Sequence, residues 1–142
     1  MVEEAHDSGF NTVLVQVRGR GDALYDSNRE PRAEHLSSDQ SFDPLATVIE
    51  GARARGLAVH AWVNTHLVWG RGDPPSSPLH LVNAHPDWLA LPRSLGRELH
   101  DWDPRSPEYL RRLIEYAAGT STVEGLFTSP SHPAVQERVV AV

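Results

Sequence analysis

Hydrophobic residues in this chain follow two rhythms, a period of two in two short runs and a helical period elsewhere. Thr12 to Tyr25 reads Thr-Val-Leu-Val-Gln-Val-Arg-Gly-Arg-Gly-Asp-Ala-Leu-Tyr, a β-branched apolar run that ends in polar residues and glycines. A run first interrupted by a polar side chain at Gln16 suits a strand buried on both faces, as in parallel sheets. Alternation puts Val13, Val15 and Val17 on one face and Leu14, Gln16 and Arg18 on the other. Leu57 to Asn64 repeats the design, with Val59, Ala61 and Val63 on one side and His60, Trp62 and Asn64 on the other. Both strands therefore carry an aliphatic face and a second face that turns polar toward the C-terminal end. That pattern predicts an α/β fold, with the aliphatic faces on outer helices and the polar ones at the mouth of a (β/α) barrel.

The helical period supplies the rest. Met1 to Gly9 reads as the last turns of an amphipathic helix, with Gly9 as its stop. Asp43-Pro44 opens a helix over about 43–55, Asp as N-cap and Pro at its first position, with Leu45, Val48, Ile49 and Ala52 as the buried stripe. Ser106-Pro107 opens another near 107–118, and Ser131-His132-Pro133 opens a last one from about 133. Val123 to Thr128 is a short candidate strand. Helix, strand, helix, strand over residues 1–64 is a βαβ unit with a leading helix, so its two strands should lie parallel and adjacent. Gly19–Phe42 and Thr65–Asp103 lack periodicity and read as long loops, which in a compact domain are usually functional or disordered. Trp88 and Leu89 are expected to pack the second loop onto the rim.

Composition narrows the chemistry. The 142 residues are one domain's worth, short of the roughly 250 of a complete barrel. A net charge of −6 without a Lys/Arg cluster argues against nucleic acid as a partner. There is no cysteine, which excludes disulfides, thiolate metal sites and a Cys nucleophile. No apolar run approaches the ~20 residues of a membrane span. His60, His66, His80 and His85 do not pair at the i, i+4 spacing of a zinc protease helix, so no metal and no cofactor is expected. Arg20-Gly21-Asp22 is an integrin-type tripeptide of the kind that arises by chance, and Gly19-x-Gly21 lacks the third glycine and the helix of a dinucleotide loop.

Several ordered blocks carry a family likeness. Gln16-Val17-Arg18-Gly19-Arg20-Gly21-Asp22-Ala23-Leu24-Tyr25 resembles the Gln-Val-Arg-x-Arg-Gly-Asp-Ala-x-Tyr block of the bacterial glycosyl hydrolase-like 10 family. Phe42-Asp43-Pro44-Leu45, Gly56-Leu57 and His60-Ala61-Trp62-Val63-Asn64 resemble its next blocks in order and spacing. His85-Pro86-Asp87-Trp88 is similar to its His-Pro-Glu-Trp, and His132-Pro133-Ala134-Val135 to the stretch leading into its fourth barrel strand. The resemblance implies a partial (β/α)8 TIM-like barrel over 1–142, covering roughly the second to fourth β/α units. The family's first strand would precede Met1, and its acidic Asp-Gly-x-His-x-Asp-Tyr block would follow Val142. Glu124-Gly125-Leu126-Phe127 imitates that block superficially, without the Asp-Tyr. The resemblance further implies a polysaccharide substrate, with peptidoglycan glycan strands cleaved by characterised relatives, and an exported parent protein.

Glycoside hydrolysis normally uses two carboxyl groups about 5–9.5 Å apart. Asp22 is the best-placed carboxylate at the strand ends and the candidate catalytic residue, with the main acid expected beyond the C-terminus. The competing reading pairs Asp22 with Arg18 or Arg20 to stiffen the loop. Gln16, Arg18, Arg20, His60 and Asn64 are candidates for binding sugar hydroxyls, against a buried polar network filling the mouth. Trp62 suits stacking on a sugar ring, against a place in the core, and Tyr25 and Trp69 are weaker stacking candidates. Two function classes stay open: part of a glycoside hydrolase that contributes the substrate-binding half and is inactive alone, or a non-catalytic carbohydrate-binding or structural α/β module.

Overall fold

The structure, a computed structural model, describes residues 1–36, 41–70 and 72–142. The two expected loops therefore each contain positions, 37–40 and 71, that lie outside the described residues. The order of elements is α1 (Val2–Asp7), β1 (Thr12–Arg18), α2 (Pro44–Arg53), β2 (Ala58–Val63), β3 (Leu67–Trp69), α3 (Leu81–Ala84), α4 (Arg93–Glu98), α5 (Pro107–Gly119), β4 (Leu126–Phe127) and α6 (Pro133–Ala141).

β1 and β2 are parallel neighbours joined through α2, in register from Thr12 beside Ala58 to Gln16 beside Trp62. Capping chemistry sets the helix starts where the sequence placed them. Asp43 accepts a hydrogen bond from the Ala46 amide at 2.9 Å, and Ser106 accepts one from the Tyr109 amide at 3.2 Å. The second Asp43 oxygen accepts the Asp26 amide at 3.1 Å, which ties the loop after β1 to the head of α2.

The alternation of β1 breaks at its end. Gln16 pairs with Trp62, yet Arg18 pairs with Val63, so Val17 is one residue too many. Such a bulge bends a strand and re-aims the side chains after it. Val17 and Arg18 are in consequence both buried, although strict alternation assigned them to opposite faces.

A correction concerns the core. The expected packing of both aliphatic faces on helices holds only in part, because Ala61 and Val63 of β2 are exposed, as are Leu14 and Trp62. The main core is built between the stretch read as loop and the expected helix and strand that follow it. Val68 and Trp69 of β3, Leu81 and Val82 of α3, Leu95 of α4, Tyr109, Leu113 and Ala117 of α5, Leu126 of β4, and Leu89 and Leu99 form one buried cluster. β3 and β4 pair antiparallel as a second two-stranded sheet rather than joining the first. Trp88 packs against this cluster and Leu89 is part of it, with Leu89 bridged to Thr128. The fold is thus α/β with two small sheets. The β3–β4 pairing requires a close approach at Gly125, where a Cβ would overlap the Trp69 carbonyl oxygen and sit 2.8 Å from its carbon. Among the described residues, no helix is long and apolar enough to cross a membrane.

Candidate functional site

The loop after β1 folds back on the strand end instead of extending from it. Leu24 donates its amide to the Val17 carbonyl at 2.9 Å, and Ala23, fully buried, bridges Arg18 and Arg32. Arg18, turned inward by the bulge, donates through Nη1 to the carbonyls of Asn64 and Thr65, the latter at 3.1 Å. Its Nη2 reaches Glu30 Oε1 at 3.3 Å. The same oxygen accepts from Arg138 Nε of α6 at 3.1 Å, and Arg138 also donates to the Arg29 carbonyl. The Glu30 side chain is 0% exposed, so a fully shielded carboxylate is shared between two guanidiniums. Taking such charges out of water is costly, and the arrangement holds only because each has a partner. Glu30 Oε2 and Arg18 Nε are buried with no hydrogen-bond partner among the described residues.

Asn64 closes the other side of the strand ends. Its Nδ2 donates to the Gly19 carbonyl at 2.9 Å, and its Oδ1 accepts from Trp62 Nε1 at 3.0 Å. This bond fixes an indole that is 53% exposed beside the end of β2. His60 is exposed mid-strand and Gln16 is half-buried, and neither side chain hydrogen-bonds among the described residues.

Asp22 and Arg20 stand apart from that network. Asp22 Oδ1 accepts the Arg20 amide at 2.8 Å, closing a turn in which Gly21 holds φ +77°. The ion pair of Asp22 with Arg18 or Arg20 is not formed. Arg18 is committed to Glu30, and the Arg20 guanidinium lies over Gly70, where a Cβ would meet its carbon at 3.1 Å. Asp22 and Arg20 line a cavity of about 220 Å³ with Glu34, Trp69 and His80. Arg18, Asp22, His60 and Asn64 therefore do not converge as one cleft. Tyr25 lies at yet another depression, with Asp26 and Ser27.

The aromatic and histidine candidates separate on their partners. Trp69 is buried and donates Nε1 to the Asp73 carbonyl at 3.1 Å, which makes it a core residue and not a stacking platform. His80 accepts the Val82 amide on Nδ1 at 3.3 Å, so Nε2 carries the proton and donates to the Arg20 carbonyl at 2.8 Å. Both ring nitrogens are used, and burial lowers the pKa of His80. Glu34 accepts two bonds from Ser76, amide and hydroxyl, each at 2.6 Å. These donors, the hydroxyl foremost, hold its carboxyl below the ordinary carboxylate range. His85 stacks on Trp88 with ring centroids 3.8 Å apart, and His66 Nδ1 meets Thr128 Oγ1 at 3.1 Å.

A sequence model described as glycosyl hydrolase-like 10 matches residues 1–142. The chain belongs to the glycosyl hydrolase-like 10 family. It is 32% identical over 123 residues to glycosyl hydrolase YngK of Bacillus subtilis, covering 81% of this chain and 24% of that protein. To glycosyl hydrolase DigH of Escherichia coli K12 it is 30% identical over 135 residues, covering 83% of this chain and 30% of that protein. The matched region thus spans less than a third of the length of these curated relatives, 24% and 30%.

Within this glycosyl hydrolase-like 10 chain, the block Gln16–Tyr25 supplies the ion network through Arg18 and a separate turn through Asp22. Glu30 and Arg138 escaped the sequence reading. They are 108 residues apart, so no local spacing links them. The available signal was Arg18 itself: a cation ending an apolar strand needs an acid, and the following loop offers several.

Proposed function

We propose that this chain is the substrate-binding part of a glycoside hydrolase that acts on polysaccharide, with peptidoglycan glycan strands as the substrate class. The observation that carries the reading is the exposed Trp62 indole, anchored by Asn64 at the C-terminal ends of two parallel strands, where (β/α) barrels bind their ligands. An indole face stacks on the C–H face of a pyranose ring, and His60 on the same strand offers ring nitrogens to its hydroxyls. The exposed Leu14, at 71%, and the open edges of the β1–β2 pair support a barrel in which further parallel strands flank this pair. Export of the parent protein belongs to the same proposal.

A second reading, a carbohydrate-binding module without catalysis, draws on the carboxylates. Glu30 neutralises arginines and Asp22 closes a turn, so neither is poised as a proton donor. The test common to both is a titration with a chito-oligosaccharide followed by the indole N–H resonances. Saturable movement of the Trp62 signal is expected, with sugar affinity, followed on the other resonances, weakened in Trp62→Ala. A Trp62 signal that does not move, while other resonances do, would place the sugar elsewhere.

A further inference from the structure

A cavity of about 560 Å³ is bounded by α5, β4 and the segment 90–92. Leu91, Pro92, Tyr116, Val123 and Phe127 give it apolar walls. Leu91, Tyr116 and Val123 also pack against the buried cluster, so the core behind them holds these walls in place. Alternation along β4 sends Leu126 into that core and leaves Phe127, 37% exposed, to the cavity. The Ala90 amide donates to the Phe127 carbonyl at 2.7 Å, which ties segment 90–92 to β4. The close approach of Gly125 to the Trp69 carbonyl fixes β4 in turn. The cavity is therefore preformed, and a preformed apolar cavity with a few polar groups is the usual form of a small-molecule site.

Its polar groups determine the sign of the ligand. Glu124 is the one charged side chain among the described lining residues, and no basic side chain lines the cavity. Among the described residues, neither the Glu124 carboxylate nor the Tyr116 hydroxyl has a hydrogen-bond or ionic partner. A carboxylate attracts a cation, and so do the electron-rich faces of aromatic rings such as Tyr116 and Phe127. We propose that this cavity binds a small organic cation, an ammonium group carried on an apolar body. The body lies against Leu91, Pro92 and Val123, and the ammonium is directed to Glu124 and the two rings. None of these residues belongs to the Trp62–Asn64 site, so the inference stands apart from the glycan reading.

The test is NMR titration of the protein with benzylamine, benzyl alcohol and benzoate, followed on the methyl resonances of Leu91 and Val123. Benzylamine should bind about fivefold or more tightly than benzyl alcohol, and benzoate most weakly, since an exposed carboxylate and two rings each contribute modestly. The preference should shrink at high salt, because exposed charges are screened. Glu124→Gln, which removes no contact that holds the fold, should erase the preference while leaving benzyl alcohol affinity and Tm unchanged. Equal binding of the three compounds, or a preference that survives in Glu124→Gln, would overturn the assignment to a cation. Shifts confined to resonances outside this cavity would overturn the site itself. A lysine-containing peptide that binds here while benzylamine does not would overturn the assignment to a small molecule.

Discussion

Glu30→Ala should be the most damaging single charge deletion in this protein. The substitution leaves Arg18, whose side chain is 3% exposed, without a counter-charge, and it withdraws the partner of Arg138 Nε. Breaking a buried ion pair from one side costs about 3–5 kcal/mol, because the remaining charge stays desolvated and unpaired. For a domain of this size that corresponds to a Tm lower by about 10–20 °C. Glu30→Gln should fall between Glu30→Ala and the native protein, since the amide keeps the shape and an acceptor oxygen while losing the charge. The double variant Arg18→Met/Glu30→Leu should recover only part of the loss, because it removes the stranded Arg18 charge but still leaves Arg138 Nε and the Asn64 and Thr65 carbonyls without these partners. Glu98→Ala is the control: its pair with Arg112 is well exposed and its removal should cost far less. Thermal and urea unfolding followed by circular dichroism give all four numbers. A loss below about 1 kcal/mol in Glu30→Ala would show that water reaches this network and that its charges are not buried.

Gly125→Ala should destabilise severely by forcing β4 off the Trp69 carbonyl, whereas Gly119→Ala, at a helix end with open space around it, should be neutral or stabilising, and comparing their Tm values checks the close approach. His80, whose pKa burial lowers in the fold, contributes stability that is fully present above its unfolded value of about 6.5 and is lost as pH falls below it. The Tm of the native protein should therefore drop between pH 7.5 and 5 by more than that of His80→Gln, and equal drops would contradict the lowered pKa. Arg18→Ala should lose both stability and glycan binding, while Trp62→Ala should lose binding alone, a contrast readable from paired Tm and titration measurements.

What was legible in the sequence was set locally. The span of β1, the starts of α2, α5 and α6, and the parallel pairing of β1 with β2 follow from alternation, from Asp43-Pro44 and Ser106-Pro107, and from the short crossover. The C-terminal core was not legible, because β3, α3 and α4 hold only three to six residues each, too few to display a period. Leu81, Leu89, Leu95 and Leu99 then read as isolated apolar residues in a loop. For the site, a one-residue bulge at Val17 decided the outcome. It turned Arg18 from a mouth residue into a buried one, whereas Trp62, near the end of the partner strand, and Asn64, just past it, are hydrogen-bonded to each other. Asp22 was correctly placed in the loop at the end of β1, but its partner is the Arg20 backbone, a choice between two nearby donors that sequence does not rank.

The central claim is that these strand ends hold glycan without supplying the acid that cleaves it. Incubating amidase-treated peptidoglycan strands with the protein, and measuring bound glycan and new reducing ends in the same samples, tests both halves together. The account predicts saturable binding that Trp62→Ala abolishes, with no reducing ends above the protein-free control. Sustained release of reducing ends, or an absence of binding by the native protein, would contradict it.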